Sequence, residues 1–128
     1  VGSEMCIRDR DLAYATDWCG VKTGAKVDKF KEMKLTKEKA NFVNCPMIKE
    51  SPVSVECKVK EIKELGSHTM FIAEVVAINV DEKYIDNKGA FDITKCDLMA
   101  YANGNYLAMG KKLGKFGFSV KKKKKNKK

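Results

Sequence analysis

A chain of 128 residues with 44% hydrophobic and 9% aromatic residues is large enough for one domain with an ordinary apolar core. The formal net charge is +9, but the lysines at 121–125, 127 and 128 supply seven of the 26 basic residues, which leaves 19 basic against 17 acidic residues, or +2, elsewhere. A terminal run of like charges repels itself and buries nothing, so we interpret residues 121–128 as a disordered poly-Lys tail. An electrostatic role towards nucleic acid or acidic lipid is the alternative interpretation.

Cysteine spacing and hydropathy argue against further classes of protein. No two of the five cysteines form a C-x-x-C pair, which argues against a structural zinc site and against a disulfide framework. The longest apolar run, residues 70–78, contains Glu74 and is too short to span a bilayer, and no segment resembles a signal peptide. The sequence therefore predicts a soluble, cytoplasmic protein with no metal site and no membrane partner.

The first ten residues differ in composition from the rest of the chain. They show no hydrophobic periodicity, and they hold both arginines of the sequence, Arg8 and Arg10. The segment VGSEMCIRDR resembles translated sequencing-adapter read-through. We therefore interpret residues 1–10 as a non-native junction to be left out of the fold, and residues 11–120 as the domain.

Residues 11–40 carry a helical pattern in short pieces. Two apolar series recur at about one helical turn: Leu12, Ala15 and Trp18 or Cys19 in the first, and Val27, Phe30 and Met33 in the second. Gly20 can end the first helix. Thr36 predicts an N-cap followed by a third helical turn over residues 37–39. Pro46 and Pro52 bracket a segment that we expect to be extended.

The second half of the sequence is strand-like. Residues 53–60 alternate between apolar and polar side chains, which predicts a strand with one solvent-exposed face. The phase slips at Ile62 and Leu65, which indicates a bulge or bend before Gly66. Residues 69–80 are apolar on both faces and rich in β-branched residues, which predicts a central strand covered on both sides.

Turn signals complete the pattern. Residues 86–89 (Asp-Asn-Lys-Gly) predict a turn, and Asn103-Gly104 predicts a hairpin between strands at residues 98–102 and 106–109. Short strands separated by turns, with the helices gathered at one end, favour a barrel over a βαβ sheet. The glycines at 110, 114 and 117 have the spacing G-x3-G-x2-G, which is not a dinucleotide-binding fingerprint and argues against a Rossmann domain.

Three segments, taken in order, carry a resemblance to a known family. The first is DLAYATDWCG at residues 11–20, followed by Thr23-Gly24 and by VDKF at residues 27–30. The second is Gly66-Ser67-His68 running into FIAEV at residues 71–75, and the third is Ala100-Tyr101 with Gly104-Asn105-Tyr106 and Gly110. In this order they resemble the central helical segment, the G-(D/S)-H strand start and the closing hairpin of the flavin reductase-like family, flavoredoxin type.

The resemblance implies a mainly β fold, a split β-barrel of the FMN-binding, Greek-key type, with short helices in its N-terminal part. It implies FMN as cofactor, NAD(P)H as co-substrate, and a homodimer with the flavin near the subunit interface. The strands and the Ser/Thr/Arg-containing loop that usually precede this segment have no counterpart before residue 11. We therefore expect a C-terminal fragment with an incomplete barrel.

Two polar groups stand out in residues 66–75. His68 is the only histidine, and imidazole can donate to a flavin carbonyl or a nicotinamide amide and can carry a proton near neutral pH. The resemblance favours His68 as the catalytic and flavin-contacting residue; the alternative is a strand-end histidine bonded to the backbone. Glu74 lies in an apolar strand and needs a partner or water, and a dimer interface would supply such a partner.

The resemblance gives six candidate cofactor-binding residues: Trp18, Cys19, Gly24, Lys29, His68 and Tyr101. Core packing is the alternative for Trp18 and Cys19, and a redox or nucleophilic Cys19 is a lesser one. Residues 24–29 are placed along the flavin phosphate, with a plain helix N-terminus as the alternative. Tyr101, like Tyr106, can stack on a flavin or can simply pack on the barrel.

Three functions remain open at this point. The first is an FMN-dependent oxidoreductase that transfers hydride from NAD(P)H to flavin or relays electrons through bound FMN, with a nicotinamide nucleotide and a redox partner protein as partners. The second is a non-catalytic flavin-binding or electron-carrier protein of the same fold. The third, a basic nucleic-acid-binding module, rests on the tail alone, and the resemblance favours the first.

Overall fold

The computed structural model describes residues 2–7 and 10–120, with the backbone only for residues 2–7 and Arg10. The prediction of a disordered tail at residues 121–128 lies outside the described residues. The described part contains two α-helices, α1 Ala13–Val21 and α2 Lys29–Glu32. Its strands are β1 Gly2–Ile7, β2 Lys37–Lys39, β3 Pro46–Ile48, β4 Val53–Glu64, β5 Thr69–Val80, β6 Met99–Ala102 and β7 Asn105–Ala108. Single 3-10 turns occur at Arg10–Leu12, Glu82–Tyr84, Ile93–Lys95 and Phe118–Val120.

The strands form three sheets, and the largest places β4 between β1 and β5. β4 and β5 pair antiparallel from Val53 opposite Val80 to Glu64 opposite Thr69, with a register shift between Val59 and Glu61 just before the predicted phase slip. The other two sheets are the hairpins β2–β3 and β6–β7. The predicted mainly β architecture with short helices is confirmed, and the sheets of the described residues do not close into a barrel.

Residues 2–7 belong to this sheet, although the sequence pattern predicts no element there. β1 pairs antiparallel with β4, from Gly2 opposite Lys58 to Ile7 opposite Val53. The edge of a long strand offers unpaired backbone groups to any segment that can extend beside it, whatever its side chains. The side-chain pattern of residues 2–7 therefore could not predict β1. The non-native origin of residues 1–10 stays a prediction.

Both predicted helices form. In α1 the Thr16 hydroxyl donates to the Leu12 carbonyl at 2.8 Å, and the helix ends at Val21, one residue beyond Gly20. Helix α2 is capped by Asp28, whose carboxylate accepts from the backbone N–H of Phe30 at 3.0 Å and of Lys31 at 3.2 Å. An aspartate in this position satisfies N–H groups that have no partner inside the helix, which lets a helix of one turn persist.

The third predicted helical turn is wrong. Residues 37–39 form β2, which pairs antiparallel with β3. The Thr36 N–H donates to the Glu50 carboxylate at 3.0 Å instead of beginning a helix, and the Lys49 N–H donates to the Thr36 carbonyl at 3.0 Å. Pairing with a distant segment outweighs the weak local preference of three residues.

The exposed face predicted for β4 is wrong at its N-terminal end. Ser54 and Glu56 occupy the polar positions of the alternation, yet both are buried, and Glu56 is 0% exposed. The alternation holds further along, where Lys58 and Lys60 are exposed and Val59 is half-buried. The polar face of this end of β4 is covered by the segment that follows β2, which the pattern of one strand cannot reveal.

Strand β5 forms as predicted, but it is not a covered central strand. It pairs with β4 on one side, and no strand among residues 2–7 and 10–120 pairs with its other edge. Phe71, Val75 and Ile78 on this strand are exposed. An apolar pattern shows which side chains can be buried, but not that they are. In the described residues, these side chains of β5 are exposed to solvent.

We expect this open strand to make the 128-residue chain self-associate. An unpaired edge with exposed apolar side chains is a template for pairing with other chains. Light scattering across a concentration series should show growing particle mass, and Val75→Lys should reduce it, because a charge on an edge strand blocks such pairing. Lys58→Arg, a change that keeps the charge on the neighbouring strand, is the control. A monodisperse monomer at all concentrations would contradict the expectation.

Both predicted turns are confirmed. The Asp86 carboxylate accepts from the backbone N–H of Lys88 at 2.8 Å and of Ala90 at 2.9 Å, and Ile85 forms a β-bridge with Phe91. Between β6 and β7, Asn103 and Gly104 have φ angles of 48° and 75°. Two successive left-handed residues match the twist of the flanking strands, which explains the Asn-Gly pair.

Removal of residues 121–128 should leave the free energy of unfolding within about 0.5 kcal/mol. The tail contributes seven lysines and no apolar side chain, so it offers nothing for core packing. Thermal denaturation of the full and shortened chains in the same buffer measures the difference. A loss of many degrees would mean that the tail packs against the domain.

No helix of the described residues is long and apolar enough to cross a membrane.

Candidate functional site

The junction between α1 and α2 brings three of the predicted cofactor-binding residues together. The Lys29 ammonium donates to the backbone carbonyl of Cys19 at 2.6 Å. A Cβ atom at Gly24 would lie 3.8 Å from the Lys29 Cε, so Gly24 lies beside the stem of that lysine. A cation at the C-terminal end of α1 is favourable, because the last carbonyls of a helix are unpaired and carry partial negative charge.

The loop between the two helices is basic. Lys22 and Lys26 are exposed on either side of Gly24, and Lys29 is half-buried next to it. The Thr23 hydroxyl accepts from the Ala25 N–H at 3.3 Å, which holds the loop in a turn. The nearest acidic group, Asp28, is engaged as the cap of α2. Three lysines within residues 22–29, next to an exposed glycine, are chemically suited to an anionic group such as the flavin phosphate.

Trp18 and Cys19 lie next to each other near the C-terminal end of α1. Both are half-buried, and Cys19 lines a crevice of about 40 Å³ with five neighbours, Leu12, Ala15, Thr16, Leu35 and Ile48. Ligand pockets are about 300–1,000 Å³, so this crevice is far too small for an isoalloxazine ring. Its apolar walls favour core packing of the Cys19 side chain.

His68 lies in the tight turn between β4 and β5. Its Nδ1 is 2.8 Å from the Ser67 hydroxyl, and its backbone carbonyl accepts from the Leu65 N–H at 2.8 Å. Gly66 has a φ of 82°, a conformation that glycine adopts without strain. The imidazole is exposed, so the position is accessible to a ligand.

Tyr101 lies on the hairpin β6–β7. Its ring centroid is 5.0 Å from that of Tyr106, at an interplanar angle of 56°, and Tyr101 is 67% exposed. Tilted aromatic pairs of this kind stabilise a hairpin across the strands. The exposed face of Tyr101 leaves it accessible for stacking.

The structure thus groups Cys19, Gly24 and Lys29, whereas His68 and Tyr101 lie on other elements. In the described part of the chain, no hydrogen bond or cavity joins either of these two residues to the α1–α2 junction. The assignment of all six residues to a cofactor stays a prediction.

The partner expected for Glu74 at a dimer interface is found within the chain. The Glu74 carboxylate lies 2.6 Å from the Lys60 ammonium, and both side chains are more than half exposed. The hydrogen bond from Lys60, and then its charge, lower the pKa of Glu74. Glu74 is therefore not an unpaired buried carboxylate, because strand β5 is open to solvent at this position.

The best-connected polar group of the described residues is Glu56, which the alternating pattern assigns to solvent. Its carboxylate accepts from three consecutive backbone N–H groups, those of Asn41 at 3.0 Å, Phe42 at 2.6 Å and Val43 at 3.2 Å. The Asn79 side-chain amide donates to it at 2.9 Å. Consecutive N–H groups that converge on one carboxylate form an anion-binding concavity, and here that concavity anchors the segment after β2 onto the sheet.

This network favours the ionised form of Glu56. Burial raises the pKa of the carboxyl, but the hydrogen bonds from Asn41, Asn79, Phe42 and Val43 outweigh burial and hold the pKa below its ordinary value. A carboxylate with several donors is stabilised in its ionised form. No pattern within a single sequence indicates Glu56, because it occupies an ordinary polar position of a strand.

A cavity of about 480 Å³ lies beside the same network. It is bounded by the β2–β3 hairpin and by the adjoining ends of β4 and β5, with Lys39, Lys49, Ser54 and Asn79 in its wall. None of the six predicted site residues lines it. The cavity is large enough for a small ligand, but its position was not indicated by any sequence motif.

Comparison with known proteins accounts for most of the chain. Residues 6–110 match the domain family described as flavin reductase like domain. Flavoredoxin of Desulfovibrio vulgaris (Miyazaki F) has 31% sequence identity and a TM-score of 0.82, over 92% of this chain and 64% of its own. A protein with a split barrel domain from Shewanella frigidimarina has the same fold, with a TM-score of 0.73 at 20% identity over 89% of this chain and 59% of its own.

An uncharacterized protein of Archaeoglobus fulgidus is 33% identical over 69 residues, which are 54% of this chain and 39% of that protein. The chain thus spans less than half the length of this relative and less than two thirds of the flavoredoxin. The predicted fold class, a split barrel of the flavin reductase type, is confirmed by these similarities.

Proposed function

The chain belongs to the flavin reductase-like family, and from that membership we propose that it forms part of an FMN-dependent oxidoreductase. In this function hydride passes from NAD(P)H to flavin, or electrons are relayed through bound FMN. The observation that carries the proposal is the family match over residues 6–110 together with the similarity to a flavoredoxin.

The α1–α2 junction is the proposed phosphate end of the flavin site. Lys22, Lys26 and Lys29 would hold the phosphate, with the exposed backbone at Gly24 allowing close approach. The bound flavin supplies the acceptance and release of hydride, which no amino-acid side chain provides. Because Lys29 is already tied to the Cys19 carbonyl, its ammonium is held in place before the anion arrives.

His68 and Tyr101 are the proposed contacts to the ring system and the nicotinamide. The exposed imidazole of His68, oriented by Ser67, can donate a hydrogen bond to a carbonyl oxygen and can transfer a proton. Tyr101 presents an open ring face for stacking. Trp18, which is half-buried on α1, is the remaining candidate cofactor contact, with core packing as its alternative role.

We also propose that the site is completed in a homodimer. The candidate residues lie on separate elements of one chain, and the apolar surface of β5 at Phe71, Val75 and Ile78 is open. A second copy that covers this surface would bury it and would bring another set of residues to the flavin. A cytoplasmic location remains part of this proposal.

A non-catalytic electron carrier is the second candidate. The similarity to flavoredoxin favours it, because that protein's name describes a flavin-containing redox protein and not a reductase. Both candidates need bound flavin, whereas a nucleic-acid-binding module does not. Absorbance in the flavin bands after purification therefore separates the first two from the third.

The test is FMN titration followed by an NAD(P)H consumption assay with free flavin as acceptor. Lys29→Met should raise the Kd for FMN about tenfold, because one charge-assisted contact to phosphate is lost. Lys31→Met, which removes an exposed lysine two positions along the same helix, is the matched control. Flavin binding without NAD(P)H turnover would favour the carrier, and no flavin binding by the chain would overturn the proposed function.

A further inference from the structure

The C-terminal end of the chain has a composition that the flavin domain does not explain. Residues 111–128, which we call the basic segment, follow the family match, which ends at residue 110. Lys111, Lys112 and Lys115 precede the seven lysines of the tail, and the basic segment contains no acidic residue and no arginine. Within the segment itself, no acidic side chain offsets this positive charge.

The described part of the basic segment also exposes apolar side chains. Leu113 is 94% exposed, Phe116 is fully exposed, and Val120 is 81% exposed. The Phe118 ring lies against Gly114, where an added Cβ atom would come within 2.6 Å of it, yet Phe118 remains 60% exposed. Four large apolar side chains within ten residues, all open to water, are costly unless another surface covers them.

Apolar and basic residues are interspersed over residues 111–120 and are followed by seven lysines and one asparagine, Asn126. The Phe118 N–H donates to the Lys115 carbonyl at 2.9 Å, which closes a turn between Lys115 and the final 3-10 turn Phe118–Val120. A short compact stretch thus presents ammonium groups and apolar side chains side by side. An interface with anionic head groups above and hydrocarbon below is complementary to both.

We propose that the basic segment binds the surface of an anionic phospholipid bilayer. The lysines contact the lipid phosphates, and Leu113, Phe116, Phe118 and Val120 enter the region between head groups and acyl chains. From the sequence alone, contact of the tail with acidic lipid is only an alternative interpretation, because the sequence does not reveal that these four side chains are left uncovered.

The side chains favour lipid over nucleic acid. Aliphatic Leu113 and Val120 gain nothing from stacking on bases, whereas both gain from insertion into hydrocarbon. The basic segment also lacks arginine, the residue best suited to bidentate contacts with phosphate and guanine. Electrostatic attraction to an anionic head-group layer requires only positive point charges, which lysine side chains supply.

Sedimentation of the full 128-residue chain with vesicles tests the proposal. Vesicles of phosphatidylcholine with roughly 30% phosphatidylserine should bind the protein, vesicles of phosphatidylcholine alone should bind it far more weakly, and added salt should weaken the binding. The double variant Leu113→Ser/Phe116→Ser should lower the partition coefficient about tenfold or more, because two inserting side chains are lost.

The matched control is Val21→Ser/Phe42→Ser. It removes one aliphatic and one aromatic side chain that are also exposed, at 75% and 65%, but lie outside the basic segment. Its vesicle binding should equal that of the unchanged protein, and thermal denaturation should show both double variants folded. Equal binding to neutral and anionic vesicles, or undiminished binding by Leu113→Ser/Phe116→Ser, would overturn the proposal. So would binding to a single-stranded oligonucleotide with no binding to vesicles.

Discussion

Glu56→Leu is expected to lower the melting temperature by roughly 10–15 °C, because it removes a buried carboxylate that accepts four hydrogen bonds at once. The backbone N–H groups of Asn41, Phe42 and Val43 and the amide of Asn79 all donate to this carboxylate. Leucine fills a similar volume but accepts no hydrogen bond, so the segment after β2 loses its anchor to the sheet. Thermal denaturation followed by circular dichroism measures the change.

Glu61→Leu is the matched control for that substitution. Glu61 lies on the same strand, is exposed, and forms an ion pair with Lys63 at 3.4 Å. Exposed ion pairs contribute little to stability, so the melting temperature of Glu61→Leu should change by no more than a few degrees. Similar losses for the two variants would show that the Glu56 network does not anchor the fold.

The charge of Glu56 has its own signature in the pH dependence of stability. The pKa of Glu56 is lowered in the folded protein from the ordinary value of 4.5. Its ionised form therefore contributes stability that is fully present well above pH 4.5 and is lost as the pH falls through the folded-state pKa. The melting temperature should fall on acidification below about pH 5. Glu50 and Glu74, whose pKa values are also lowered, add to the same trend.

Glu56→Gln separates this residue from the other carboxylates. Glutamine keeps one oxygen acceptor but carries no charge, so its melting temperature should be lower near neutral pH and should fall less steeply on acidification. If the melting temperatures of the variant and the unchanged protein fall in parallel between pH 7 and pH 3, groups other than Glu56 cause the acid sensitivity.

The elements with local signals were predictable from the sequence. The apolar series of α1 and α2 and the Asn103-Gly104 pair each act within a few residues, and each gives the expected element. Strand β2 was not predictable, because its pairing with β3 and the bond from Thr36 to Glu50 join residues up to 14 positions apart. The exposure of β5 depends on which segments lie beside it, and an apolar pattern records only a capacity for burial.

The candidate site was likewise only partly predictable from the sequence. Gly24 and Lys29 come together because only the four residues 25–28 of loop and cap separate them. Cys19 joins them through a backbone carbonyl that no side-chain motif encodes. Glu56 was missed because its partners Asn41 and Asn79 lie 15 and 23 positions away on either side. His68 lies in the turn directly before β5, next to the strand start that the resemblance implies, but its placement on a different element from the α1–α2 junction is a property of the assembled fold.

His68→Ala is expected to slow flavin reduction by NAD(P)H about 10- to 1000-fold in flavin-loaded protein, if His68 contacts the flavin or nicotinamide as proposed. A positioned donor acts most strongly where charge develops in the transition state, so the rate falls more than the stability. The imidazole is exposed and is bonded to the adjacent Ser67 hydroxyl, so its loss should lower the melting temperature by only a few degrees.

Single-turnover reduction, measured on samples matched for flavin occupancy by absorbance, isolates this effect from any change in flavin affinity. Thr69→Ala is the control, because Thr69 follows His68 directly and donates its hydroxyl to the Glu64 carboxylate at 2.9 Å without offering an imidazole. If both variants lose a little stability and neither loses rate across the pH range, His68 serves only to close the turn between β4 and β5. The functional assignment would then rest on family membership alone, because a shared fold does not by itself establish a shared reaction.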